Sequence, residues 1–171
     1  MLLTKQQKFL LAALEKLGCA ELRQLAVLLQ NAFSFSAFDD ATRVTNACVQ
    51  QMRRGGLLQI SEDGIVYACD YVNSEMLNAI AVMLELSAAQ PPEEFCAVDR
   101  RILLRFSLGE PGFKQFAIVS GSAPPPEREL RQEETIIALL PNGAKPELSY
   151  ARPIIFAIRQ EDGTHRFFAR K

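Results

Sequence analysis

The Gly55-Gly56 pair separates a long helix-periodic run from a short alternating hairpin, and this junction constrains the fold of residues 1–90 more than any other feature. Upstream, a helix is expected from Asp39 or Asp40 to Arg54. Either acid suits a cap and the positive end of the helix. Ala41, Val44, Cys48 and Met52 repeat at helical spacing and are expected to face a core. The glycine pair ends this helix. Downstream, Leu57–Ile60 reads as a strand, Ser61–Gly64 as a turn and Ile65–Ala68 as the return strand. Asp63-Gly64 tolerates the positive φ values that tight hairpins require.

Two further helices precede this junction. Thr4 followed by Gln7 is a capping-box pattern, in which hydroxyl and amide each satisfy an orphan backbone donor. Phe9, Leu10, Ala13, Leu14 and Leu17 then form an apolar stripe, which Gly18 ends. A second helix fits Ala20 to Gln30. Phe33, Phe35 and Phe38 are too apolar for a solvated loop and are expected to plug the core. The order helix, helix, helix, hairpin predicts a winged helix. In such a unit the third helix suits the major groove, because its diameter matches the groove width. Arg43, Asn46, Gln50 and Arg53 form the stripe opposite the predicted core face, so these residues are candidate base contacts. Arg54 is a candidate phosphate contact. Arg can read guanine, and Asn and Gln can read adenine, through paired hydrogen bonds.

A fourth helix is expected from Ser74 to Ala88. Its apolar residues occupy more than one side, which makes it a candidate homodimer seam. The Pro91-Pro92 pair cannot continue a helix and predicts a boundary, giving a winged helix over 1–90 and a second domain over 91–171. In the second domain, residues 102–108, 113–120, 135–140 and 153–159 read as strands. A short helix is expected within 124–132, and a last hairpin turns at Asp162-Gly163. The fold class is α+β, the second domain being a small, mostly antiparallel sheet with a short helix.

Charge narrows the functional classes. Over residues 1–72, seven Lys/Arg balance seven Asp/Glu, so strong non-specific binding to phosphates is not expected. Glu62 and Asp63 at the hairpin tip would repel phosphate, and keep a protein-interaction module open as the alternative. Cys19, Cys48, Cys69 and Cys96 form no C-x-x-C pair, and the single histidine, His165, is distant; zinc is not expected. Glu127, Glu129, Glu133 and Glu134 read as a solvated helix face rather than a metal site. No apolar stretch approaches the ~20 residues of a membrane span. The opening residues carry Lys5, Lys8, Glu15 and Lys16, which fits an amphipathic helix better than a signal peptide. A cytoplasmic protein with no cofactor is expected.

Two sets of residues resemble the replication-relaxation family of mobile-element proteins. The first is Leu3-Thr4-Lys5-Gln6-Gln7 entering the winged helix, with Gly55-Gly56-Leu57-Leu58 before the wing. The second is Leu140-Pro141-Asn142-Gly143, then Phe156 through Thr164. The resemblance implies a winged helix joined to a nuclease-like sheet, acting in plasmid or transposon replication and transfer. The nuclease-like pattern places an acid after the proline and another on the following strand. Here Asn142 and Arg159 stand there, and neither can hold Mg²⁺ or orient water as a carboxylate does. Glu161 alone is insufficient. The expectation is therefore a non-enzymatic DNA-binding or regulatory protein, with a metal-dependent nuclease as the weakest reading.

Overall fold

The computed structural model describes residues 2–68, 72–109, 114–144 and 147–169. The chain is α+β and divides into two compact units, Met1–Leu77 and Asn78–Lys171. This division falls inside the fourth helix rather than at Pro91-Pro92.

The first unit opens with α1 (Lys5–Leu17), β1 (Cys19–Glu21), α2 (Leu22–Phe33) and α3 (Phe38–Arg54). Strands β2 (Gln59–Ile60) and β3 (Ile65–Tyr67) complete it. The expected capping box forms: the Gln7 N–H donates to Thr4 Oγ1 at 3.2 Å, and the Thr4 N–H donates to Gln7 Oε1 at 2.9 Å. Gly18 ends α1 at φ 79°, where its N–H reaches the Leu14 carbonyl. A side chain there would be strained.

The second helix starts two residues later than expected, because Cys19–Glu21 is recruited as a strand. It pairs antiparallel with β3, placing Cys19 opposite Tyr67 and Glu21 opposite Ile65. The three-stranded sheet has the order β1-β3-β2. Helix α3 also begins earlier than expected. Ala37 is its N-cap and makes no side-chain cap bond, so Asp39 and Asp40 lie in the first turn instead. Leu10, Leu14, Leu17, Leu25, Leu29 and Met52 are among the fully buried side chains of this unit. Burying each is worth about 2 kcal/mol. Phe33, Phe35 and Phe38 are only half-buried. Phe33 meets Phe9 edge-on at 5.7 Å rather than plugging the centre.

Helix α4 (Ser74–Leu86) crosses the division. Asn73 Oδ1 caps it, accepting from the Glu75 and Met76 amides. Met76, Leu77, Ala79, Ile80, Val82 and Met83 are buried, whereas Ala81, Leu84 and Leu86 are half-buried.

The second unit is built on six strands: β4 (Glu94–Ala97), β5 (Ile102–Leu108), β6 (Lys114–Ser120), β7 (Glu134–Leu140), β8 (Ile154–Arg159) and β9 (His165–Ala169). They lie side by side in chain order. The pairs β4–β5, β5–β6 and β8–β9 are antiparallel, whereas β6–β7 and β7–β8 are parallel. The sheet is thus mixed at its centre, which the sequence reading did not anticipate. Long connections before β7 and β8 carry the chain back to the same end, as parallel pairing requires. The first contains the 3₁₀ turn Glu127–Glu129, shorter than the helix expected there. Ala117, Val119, Ile136, Ala138, Ile154 and Phe156 line one face and form a core with Leu130.

Candidate nucleic-acid interface

Helix α3 has two distinct faces. Ala41, Thr45, Cys48, Val49 and Met52 are buried. Val44, expected in the core, is only half-buried; Thr45 and Val49 take the inward positions. The helix is rotated slightly from the expected phase. Arg43, Asn46, Gln50, Arg53 and Arg54 are nevertheless all exposed. Steps of three and four residues keep their side chains on one stripe.

The electrostatics change along that stripe. Asp39 and Asp40 occupy the first turn of α3, Arg53 and Arg54 the last. Arg43 is paired with Asp40 at 2.8 Å, with the arginine side chain 80% exposed. This pair is solvent-screened and contributes little to stability, but it offsets the charge of one candidate base contact. The cationic part of α3 is its C-terminal half.

Two glutamines brace this unit by the same device. Gln7 is 3% exposed and Gln24 is 6% exposed. Each stands at the third position of its helix and accepts the amide N–H that precedes the helix. That bond commits the side-chain oxygen, so each NH₂ points away. Gln7 Nε2 donates to Gln51 Oε1 at 2.8 Å, and Gln24 Nε2 donates to the Leu77 carbonyl at 2.8 Å. Gln7 thus ties the start of α1 to α3. Between them lies an open groove of about 390 Å³, lined by Leu2, Thr4, Gln7, Gln51, Arg54 and Gly55. Sequence reasoning did not find Gln51. The signal for it exists only in the pairing of α1 with α3. Nearby, burial pushes the Cys48 thiol up from its ordinary value, opposed by a hydrogen bond with the Thr4 side chain. A thiol held protonated is a poor nucleophile.

The hairpin tip, Glu62 and Asp63, is exposed and acidic. Its base is held by Tyr67, whose hydroxyl lies 3.0 Å from Gln59 Oε1.

In the second unit the predicted acidic face is mostly paired. Glu134 is buried rather than solvated. It binds Arg105 Nε at 2.7 Å and accepts the Arg131 N–H at 3.0 Å. Glu129 pairs with Arg101, and Glu127 with Arg152. His165 is 8% exposed. Its Nδ1 lies 2.8 Å from Glu85, which also accepts the His165 backbone N–H. Ser120 is buried with its hydroxyl 2.9 Å from that of Ser122. Gly121 is required between them: a Cβ there would sit 2.2 Å from the Leu139 carbonyl oxygen.

Leu140 is in register with Ile158; Arg159 is the last residue of β8, opposite His165, whereas Asn142 lies in the turn beyond β7. Arg159 donates to Asn78 Oδ1 at 2.7 Å. Among the described residues, no three His, Cys, Asp or Glu side chains are grouped to hold a metal ion. Cys19 and Cys48 are buried and Cys96 is exposed; Cys69 lies outside the described residues. No described helix is long and apolar enough to cross a membrane. The chain matches no family model, no curated protein and no solved structure.

Proposed function

We propose that the first unit is a winged helix that binds double-stranded DNA through α3, in a regulatory rather than catalytic protein. One observation carries the reading: all five residues chosen for base or phosphate contact are exposed on α3, while its opposite side is buried. The element order and the β1-β3-β2 sheet support the winged-helix assignment. Asn46 and Gln50 are the proposed base readers, Arg53 and Arg54 the proposed anchors. Arg43 contributes after releasing Asp40.

The test is selection of duplexes from a random pool, followed by binding across a range of salt concentrations. Arg43→Ala combined with Arg53→Ala is expected to abolish binding at physiological salt. Arg53→Ala alone is expected to lower the salt slope by about one. Unchanged affinity in the double variant would remove α3 as the binding face.

The acidic residues favour a second reading, a protein-interaction module. Glu62 and Asp63 at the hairpin tip and Asp39 and Asp40 in the first turn of α3 oppose close approach of phosphates at those points. A stable protein partner that is lost on charge reversal at Glu62 and Asp63, with no salt-sensitive DNA binding, would establish it.

The resemblance to the replication-relaxation family remains a proposal, and with it a mobile-element role and a cytoplasmic setting. The second unit is proposed as a binding or assembly surface on a nuclease-like sheet that lacks its acids. Mg²⁺-dependent cleavage of plasmid DNA that disappears in Glu161→Gln would overturn this. A homodimer, which light scattering would detect, needs a surface other than the buried residues of α4.

A further inference from the structure

We infer that the groove between Thr4 and Arg54 seats a phosphate oxyanion, and that Gln51 is the residue that makes it selective for an acceptor. The inference starts from the orientation of two amides. The Thr4 N–H is a donor, so the Gln7 atom facing it is its oxygen. Gln7 Nε2 therefore faces Gln51, and the Gln51 atom that meets it must be oxygen. With Oε1 turned to Gln7, the group the Gln51 amide turns outward is its NH₂, a pure donor. Gln51 and Arg54 are exposed side chains of the same groove, one turn apart on α3. Arg54 also offers donors only. Gln7, buried on α1, holds the Gln51 amide in this sense.

The surrounding charge agrees. Lys5 and Lys8 on α1 and Arg53 and Arg54 on α3 are all exposed. The first turn of α1 carries no acid, unlike the first turn of α3. Two oriented donor groups, one cationic, suit a phosphate, whose oxygens only accept hydrogen bonds when ionised. A carbonyl or hydroxyl ligand would leave most of these donors idle.

The source of the phosphate is assigned to the DNA backbone, and this part rests on the α3 reading. A helix lying in the major groove fills its width, so residues on its flank meet the sugar-phosphate chain. Gln51 lies on that flank, beside the stripe that carries Gln50 and Arg54.

The probe for the chemistry is inorganic phosphate added to the labelled whole chain, with potassium chloride at matched ionic strength as reference. The expected result is movement of the Gln51 side-chain amide and Arg54 Nε–H resonances in the native chain, and its loss in Gln51→Glu. This variant retains the oxygen that accepts from Gln7 and replaces the outward donor by an acceptor. Arg54→Gln, at an exposed position, serves as a second variant. No movement beyond the chloride reference would overturn the groove assignment.

Duplex DNA is the second arm. Gln51→Glu is expected to weaken binding about tenfold and equally for every sequence, as loss of a charge-assisted hydrogen bond predicts. A changed sequence preference would overturn the backbone assignment. Phosphate binding without duplex binding would overturn the DNA source and leave the anion site standing. Duplex binding that is the same in native and Gln51→Glu chains would overturn the groove while leaving α3 as a DNA face.

Discussion

Thr45 illustrates how one residue departs from the helical pattern it sits in. Its side chain is fully buried, and Oγ1 has no hydrogen-bond partner among the described residues. A buried hydroxyl without a partner carries its desolvation cost uncompensated. Thr45→Val, which keeps the shape, is expected to stabilise the chain by about 1 kcal/mol in urea unfolding. Unchanged or lower stability would mean that the hydroxyl is satisfied. Asp99 shows the opposite case. The Ile102 and Arg101 backbone amides donate to its carboxylate at 2.7 Å each. The bond from Ile102, foremost, holds its carboxyl below the usual range. The folded value is depressed, so the stabilisation is present above the unfolded value of about 4 and is lost as pH falls through the lower folded value. Asp99→Asn should therefore flatten the acid limb of the stability curve below about pH 4, which equilibrium unfolding at stepped pH would measure.

Between elements, a few side-chain bonds replace what the backbone cannot supply. Gln7 and Gln24 each cap one helix with the oxygen and reach another segment with the nitrogen. Gln24→Ala is expected to cost about 2 kcal/mol, since it loses the cap on the Glu21 amide and the buried bond to the Leu77 carbonyl. A loss confined to a few tenths would show that water replaces both bonds. Glu85 does comparable work in the second unit. It binds the backbone and the ring of His165, tying α4 to β9. Glu85→Ala should cost about 2 kcal/mol, measured by denaturant midpoint at constant slope. The partner of His165 was not legible in the sequence, because Glu85 and His165 stand eighty residues apart. No local pattern encodes that pairing.

For the whole molecule, stability and the proposed binding face rest on different residues. Arg105 and Glu134 form a pair in which the Glu134 side chain is 1% exposed. Removing Arg105 leaves the buried carboxylate only the Arg131 backbone N–H and the longer 3.8 Å contact with the Arg131 side chain, so Arg105→Ala is expected to destabilise the chain by about 3 kcal/mol. Arg101→Ala, which breaks the solvent-exposed pair with Glu129, should cost less than about 1 kcal/mol. Equal effects of the two would contradict the burial assigned to Glu134. Substitutions at Asn46, Gln50, Arg53 and Arg54, all exposed, should leave the unfolding midpoint nearly unchanged.

Local chemistry was readable from the sequence wherever it acts over a few residues. The Thr4–Gln7 capping box, the stop at Gly18, the end of α3 at Arg54 and the Asp63-Gly64 turn are of this kind, and so is the exposed stripe from Arg43 to Arg54. Periodicity and turn chemistry are properties of adjacent residues, so they survive without knowledge of the fold. The tertiary structure alone decided what depends on distant partners. It turned Cys19–Glu21 into a strand through β3, and placed Val49 rather than Val44 in the core. It also made β6, β7 and β8 parallel. Their near-continuous apolar runs, such as Thr135–Leu140, fit strands buried on both faces, yet direction is set by the connections and not by the runs. It buried Glu134 and His165 by supplying Arg105 and Glu85. And it left Gln51, an ordinary polar residue in the sequence, with its oxygen held by Gln7 and its nitrogen turned outward.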